Sequence, residues 1–175
     1  MDLPPTKRLS AEPLHERHLA ELCRMHGDAR IMATLGGVRS DGETMRFLRA
    51  NLDHWRRHGH GLFVFRERAS GAFVGRGGLR HVEVAGSAEV ELAYAVMAAF
   101  WGRGLASEMA AALLRHGGER LGLRGIVAFT LTTNAASRRV MEKLGFRFER
   151  DIVHAGLPHV LYRLVLSPRP GASRS

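Results

Sequence analysis

The chemistry of this chain gathers between Ala93 and Met109 (AYAVMAAFWGRGLASEM), where an apolar strand runs into a glycine-containing turn that opens a helix. The first N–H groups of a helix have no partner inside it and sit at the positive end of its dipole, so such a turn is an anion site. Gly102 and Gly104 let the backbone approach a phosphate closely, and Arg103 between them adds charge and forked donors. A pyrophosphate is the natural guest. The same glycines also suit a tight strand-to-helix turn with no ligand, and this stretch alone leaves both readings open.

Two nucleotide motifs can be tested on these residues. A phosphate-binding P-loop needs Gly-Lys-Ser/Thr, and neither Lys7 nor Lys143 follows a glycine. A dinucleotide fingerprint wants a glycine or alanine where Ser107 stands, and an acid ending the next strand, which instead ends Thr130-Leu131-Thr132-Thr133. A third cluster, His54, His58 and His60, puts two imidazoles at i, i+4, but Gly59 and Gly61 loosen it and no acid or cysteine completes a metal site. His15-Glu16-Arg17-His18 lacks one residue of the zinc-protease spacing. No metal is expected.

The elements that must position these groups follow from periodicity. Lys7 to Pro13 reads as a first strand, Leu14 to Met25 as one amphipathic helix, and Ser40 or Asp41 caps a helix running to His58. Leu62 to Arg66 and Ala72 to Val84 form a hairpin, and Ala88 to Met97 adds a third strand. On that strand Glu89, Glu91 and Ala93 point one way, Val90, Leu92 and Tyr94 the other. A helix from Gly104 to Leu121, weakened at Gly117-Gly118, leads to a central strand, Gly125 to Thr132. Asn134 caps a short helix, Ala135 to Leu144, and strands Phe146 to His154 and Leu157 to Leu166 close the domain. The expected fold is α/β: one domain over residues 1–166 with a mixed, mostly antiparallel sheet of about six to seven strands and about four helices. Ser167 to Ser175 reads as a disordered tail.

Composition bounds the rest. The 175 residues are 45% apolar and 25% charged, ordinary for one globular domain. Cys23 is alone, so no internal disulfide forms and a reducing, cytoplasmic setting is the default. Neither a signal-peptide core nor an apolar run long enough to span a membrane is present. Of 26 basic residues only Lys7 and Lys143 are lysine, so 24 are arginine, and the net charge of +9 invites an anionic partner without choosing one.

Three blocks resemble the GNAT acyltransferases, and within them the RimJ/RimL-like branch: Glu91-Leu92-Ala93-Tyr94, then Trp101-Gly102-Arg103-Gly104-Leu105-Ala106, then Asn134-Ala135-Ala136-Ser137 with Val140 to Phe146 (VMEKLGF). The second is similar to the family's pyrophosphate motif Gln/Arg-x-x-Gly-x-Gly/Ala, with Trp101 departing at its first position. The resemblance implies a GNAT-like fold and acetyl-CoA as acyl donor. It places the pantetheine arm along Tyr94, Ala95 and Val96 and the pyrophosphate on the backbone of Gly102, Arg103, Gly104, Leu105, Ala106 and Ser107. Arg138 or Arg139 could meet further phosphates, and Asn134 would touch pantetheine as well as cap its helix.

Transfer of acetyl to an amine needs a proton acceptor, a polarised carbonyl and a proton for the thiolate. The resemblance makes Glu91 the base, with Glu89 in reserve, and Ser137 the hydroxyl that meets the developing thiolate. Glu91 would otherwise be a structural carboxylate paired with an arginine, and Ser137 a first-turn helix serine. Tyr162 is a weaker alternative acid, and the oxyanion donor would be an N–H near Val96. The expected activity is N-acetyl transfer to a primary amine, a protein N-terminus or a small molecule, by direct attack in a ternary complex, with a homodimer possible. The competing readings are a basic nucleic-acid-binding protein, disfavoured by scattered arginines and 7% aromatics, and a non-catalytic acyl-CoA-binding module.

Overall fold

A computed structural model describes residues 3–166, and the expected tail, Ser167 to Ser175, lies outside them. Seven strands form one sheet: β1 (Leu9–Pro13), β2 (Leu62–Glu67), β3 (Phe73–Val84), β4 (Ser87–Val96), β5 (Gly125–Leu131), β6 (Arg147–His154) and β7 (Leu157–Val165). Their order across the sheet is β1-β2-β3-β4-β5-β7-β6, so the last hairpin inserts β7 beside β5 and leaves β6 at the edge. Every pairing is antiparallel except that of β4 with β5.

Among the described residues five α-helices cover the sheet. On one face lie α1 (Leu19–Gly27), α2 (Ala29–Met32) and α3 (Asp41–His58), and on the other α4 (Leu105–Glu119) and α5 (Ala135–Lys143). Among the described residues no helix is long and apolar enough to cross a membrane.

The expected single helix from Leu14 to Met25 is corrected. Leu14 is buried ahead of any helix, and the chain makes a 3-10 turn, Glu16–His18, before α1 begins at Leu19. The side chains drive this: His15 N–H donates to His18 Nδ1 at 3.0 Å, and buried His18 meets Glu12 at 3.1 Å, fixing the turn against β1. Asp28 then caps a separate turn, accepting from Arg30 N–H at 2.9 Å.

The other boundaries follow their caps. Ser40 and Glu43 form a reciprocal capping box on α3, and Gly59 ends it in the left-handed region with φ 68°. Gly117, expected as a weak point, is instead a packing contact. A Cβ there would stand 2.8 Å from Leu79 and 3.1 Å from Ile126, so its absence lets α4 sit close on β3 and β5.

Candidate active site

β4 and β5 share one parallel rung, Glu91 opposite Val127, and beyond it they part. Met97 N–H donates to the Val74 carbonyl at 2.8 Å, which makes Gly75 and Val96 a non-hydrogen-bonded pair of the β3–β4 ladder. The backbone groups of Val96, and by the strand's two-residue period those of Tyr94, therefore turn away from β3 into the gap. The exposed Trp101 closes its far end by donating from Nε1 to the Val96 carbonyl at 2.8 Å. The N–H of Val96 and both backbone groups of Tyr94 remain as an open strand edge.

The gap is the centre of a cavity of about 960 Å³ that also takes in the start of α4. Gly102 and Gly104 both adopt φ 73°, the left-handed region, and Gly104 caps α4 with no side chain over its amides. Gly102, Gly104, Leu105, Ala106 and Ser107 all border the cavity. Arg103 does not. Its guanidinium pairs with Glu67 and stacks 5.1 Å from the Phe100 ring, while its carbonyl accepts from Arg8.

The start of α5 supplies the hydroxyl side of the cavity. Asn134 Oδ1 accepts from Ser137 N–H at 3.1 Å and its Nδ2 donates to Thr130 Oγ1 at 2.8 Å, so the cap is locked to β5. Ser137 Oγ lies 2.8 Å from the Tyr94 hydroxyl, whose O–H also reaches the Ser137 carbonyl at 3.3 Å. Burial pushes the Tyr94 phenol up to about 12, against a smaller opposing effect of Ser137, so it stays protonated. Arg138 turns to Tyr162 and the Thr132 carbonyl, whereas Arg139 is exposed. Tyr162 is buried and donates to Glu142 at 2.9 Å, away from the cavity.

Glu91 lies on the opposite face of β4, where α1, α2 and α3 pack, and borders the same cavity. It is 6% exposed. Its Oε2 accepts from Arg80 Nη2 at 2.7 Å, the cross-strand partner in register, and its Oε1 has no hydrogen bond among the described residues. Glu89 is engaged elsewhere, held by both terminal nitrogens of Arg163 at 3.0 and 2.7 Å. The sheet therefore brings Glu91, Ser137, Asn134, Tyr94 to Val96 and the α4 turn to one cavity, and leaves Glu89, Tyr162 and the Arg103 side chain outside it.

Sequence reasoning missed two contributions. Tyr94 was expected to act through its backbone, but its phenol holds Ser137. The cavity wall opposite α4 is built from Phe47, Arg39, Arg76 and Arg80. Arg76 and Arg80 are four residues apart on one strand and so share a face, a spacing that could have signalled them. Among the described residues no group of three His, Cys, Asp or Glu side chains is placed to hold a metal ion. His54 instead bonds the His60 carbonyl and accepts from His81 N–H, both at 2.9 Å.

The comparisons agree with this geometry. A family model described as an acetyltransferase (GNAT) domain matches residues 8–147. The protein YkkB of Bacillus subtilis is 25% identical over 158 residues, 90% of this chain and 92% of its own. In structure the chain is similar to a protein of Bordetella pertussis described as a GnaT-family acetyltransferase, with TM-score 0.81 and 27% identity over 93% of this chain and 99% of that one. It shares its fold with RimL, a ribosomal L7/L12 α-N-protein acetyltransferase solved with coenzyme A, with TM-score 0.78 and 19% identity over 95% and 98% of the two chains. With a family match spanning most of its length and a parted β4–β5 edge beside a bare helix N-terminus, this chain belongs to the GNAT acetyltransferase family.

Proposed function

We propose that the chain transfers an acetyl group from acetyl-CoA to a primary amine within a ternary complex. The observation that carries this reading is the continuity of one cavity: the open edge of Tyr94 and Val96, the turn residues Gly102 and Gly104 to Ser107, and the pair Glu91 and Ser137 all border it. An arm with amide groups can pair with the strand edge, and a diphosphate suits the helix N-terminus, so the residues present fit coenzyme A. The Cβ-free positions 102 and 104 leave that approach open.

In the reaction the amine nitrogen forms a bond to the thioester carbonyl carbon, and the carbon–sulfur bond breaks. Glu91 Oε1 takes the amine proton, directly or through a water. Val96 N–H stabilises the carbonyl oxygen as it becomes an oxyanion. Ser137 donates to the departing thiolate, and Tyr94 O–H, kept protonated by burial, donates in turn to Ser137 Oγ. Asn134 holds Ser137 in place from the helix cap. The fold shared with RimL makes a protein N-terminus one acceptor to test beside small amines.

Many of the arginines that suggested nucleic acid are tied to carboxylates, among them Arg8 to Glu108, Arg17 to Glu12, Arg30 to Asp28, Arg66 to Glu21 and Arg163 to Glu89. The decisive test is ligand-dependent melting. Acetyl-CoA at a hundred times its dissociation constant should stabilise the fold by about 2.7 kcal/mol, a rise of several degrees, and a random DNA duplex should not. Failure of acetyl-CoA to bind would sink the proposal. Binding without release of CoA to any amine would support a non-catalytic module instead.

A further inference from the structure

The side of the cavity facing α2 and α3 carries more positive charge than a plain amine would tolerate. Arg39, Arg76 and Arg80 all border it. The guanidinium carbons of Arg39 and Arg76 lie 5.1 and 4.6 Å from the same Phe47 ring, which gathers them at one spot. Against three guanidiniums the wall offers one carboxylate, Glu91, which Arg80 already engages. Arg30 also borders the cavity, but Asp28 holds it at 2.6 Å. Glu43, the acid near Arg39, is turned to Ser40. His26, behind these arginines, is held down to about 3 by burial and then by Arg76 and Arg39, so it adds no charge.

Arg76 is the informative member. It is 5% exposed, its Nε is buried without a hydrogen-bond partner, and it forms no ion pair among the described residues. The Nε of Arg80 is likewise unpartnered. An uncompensated buried guanidinium is destabilising, and an apolar side chain of its volume would pack without that cost. Its presence beside an open cavity calls for an anion from outside the chain.

Its position limits where that anion sits. In the β3–β4 register Arg80 faces Glu91, Gly78 faces Ala93 and Arg76 faces Ala95, so the two arginines bracket a floor of small residues next to the proposed reacting centre. At about 3.3 Å per residue, Arg76 and Arg80 stand roughly 13 Å apart along the strand. From this we infer that the acceptor is a compact primary amine carrying its own oxyanion, a carboxylate or a phosphate, which Arg39 and Arg76 bind while Glu91 meets the amine. The inference rests on the acetyl-transfer reading and narrows it. Polycationic acceptors such as polyamines and aminoglycosides are excluded by the same charges.

The test compares acceptors matched except for charge: α-amino acids against their amides, phosphoethanolamine against ethanolamine, and spermidine as a polycation. CoA release is followed with the full chain. The anionic member should have at least about tenfold higher kcat/KM, the worth of one charged hydrogen bond, and the amino-acid and phosphate arms reveal which oxyanion is used. Arg39→Gln, a half-buried position, and Arg76→Gln should each raise the acceptor KM by about tenfold or more and erase the preference, with KM for acetyl-CoA unchanged. An unchanged melting rise with acetyl-CoA verifies that each variant folds and binds the donor. Equal use of neutral amines, a preference that survives both substitutions, or no turnover of any anionic member would overturn the inference. Loss of acetyl-CoA binding by the parent protein would strike the acetyl-transfer reading itself.

Discussion

The two walls of the cavity are built by different means. Toward α4 and β5 the polar groups are backbone: those of Gly102 and of Gly104 to Ser107 and the open edge of Tyr94 and Val96, with the Arg103 side chain turned away to Glu67. Toward α2 and α3 they are side chains, with Arg39, Arg76, Arg80 and Glu91 set around Phe47 over a floor of Gly78 and Ala93. Backbone donors are fixed by the fold and read a ligand's shape and phosphates, which suits a constant cosubstrate. Side chains can be exchanged without moving a strand, which suits the proposed acceptor side. On the acetyl-transfer proposal, the difference separates what every turnover shares from what sets specificity.

That division can be broken first at Glu91. Glu91→Gln should lower kcat on the order of a hundredfold or more while acetyl-CoA binds as before, because the carboxylate lies with Arg39, Arg76 and Arg80 on the wall proposed for the acceptor. The same change leaves three guanidiniums without a counter-charge, so the KM for an anionic acceptor should hold or fall. Steady-state kinetics with both substrates varied checks the pair, and an unchanged kcat would remove Glu91 from its role. On the backbone wall, Gly104→Val forces a β-branched residue to φ 73° although ordinary space surrounds its Cβ. Strain of about 1–2 kcal/mol at the helix cap should raise the acetyl-CoA KM by about tenfold and spare the acceptor KM. Tyr94→Phe is milder. It removes the donor behind Ser137, worth about 1 kcal/mol, and should slow kcat several-fold with both KM values kept.

The same contrast explains how far the sequence could be read. The backbone wall is contiguous: a strand, two glycines and a helix start lie within Ala93 to Met109, so local rules and family resemblance both reach it. That Glu91 and Ser137 would stand at the same cavity was legible for the same reason, since both lie in the matched blocks. The side-chain wall draws Phe47 from α3, Arg39 from the loop before it and Arg76 and Arg80 from β3, and only the register of the folded sheet sets them beside Glu91. Strand and helix limits fell within a residue or two of their caps. The failure at Leu14 to Met25 came from tertiary contacts, Glu12 with His18 and Leu14 in the core, that a helical spacing of apolar residues does not register.

The smallest effect expected is on stability, and it tests whether the acceptor wall tolerates more positive charge. His26, against Arg76 and Arg39, is held down to about 3 chiefly by burial, and His54, below the same sheet face, to about 4 by burial. His54 Nε2 accepts from His81 N–H, so a second proton on that ring breaks a hydrogen bond. In the unfolded chain both imidazoles take protons near their ordinary value of 6.5, whereas the folded chain refuses them until about 3 and 4. The unfolded state then binds more protons throughout that window, so stability is complete above about pH 6.5 and falls as the pH drops toward 4. At pH 5 each buried imidazole should cost about 1–2 kcal/mol relative to pH 7.5. Melting curves of the parent protein and of His26→Gln across this range measure it: burial also holds down His18, His60, His81 and His116, so the variant removes one of six such imidazoles and its slope should be shallower by that one group's share. A parallel slope would mean that His26 titrates alike in the folded and unfolded chain, so that it gains a charge beside Arg39 and Arg76 as the pH falls through the ordinary imidazole range.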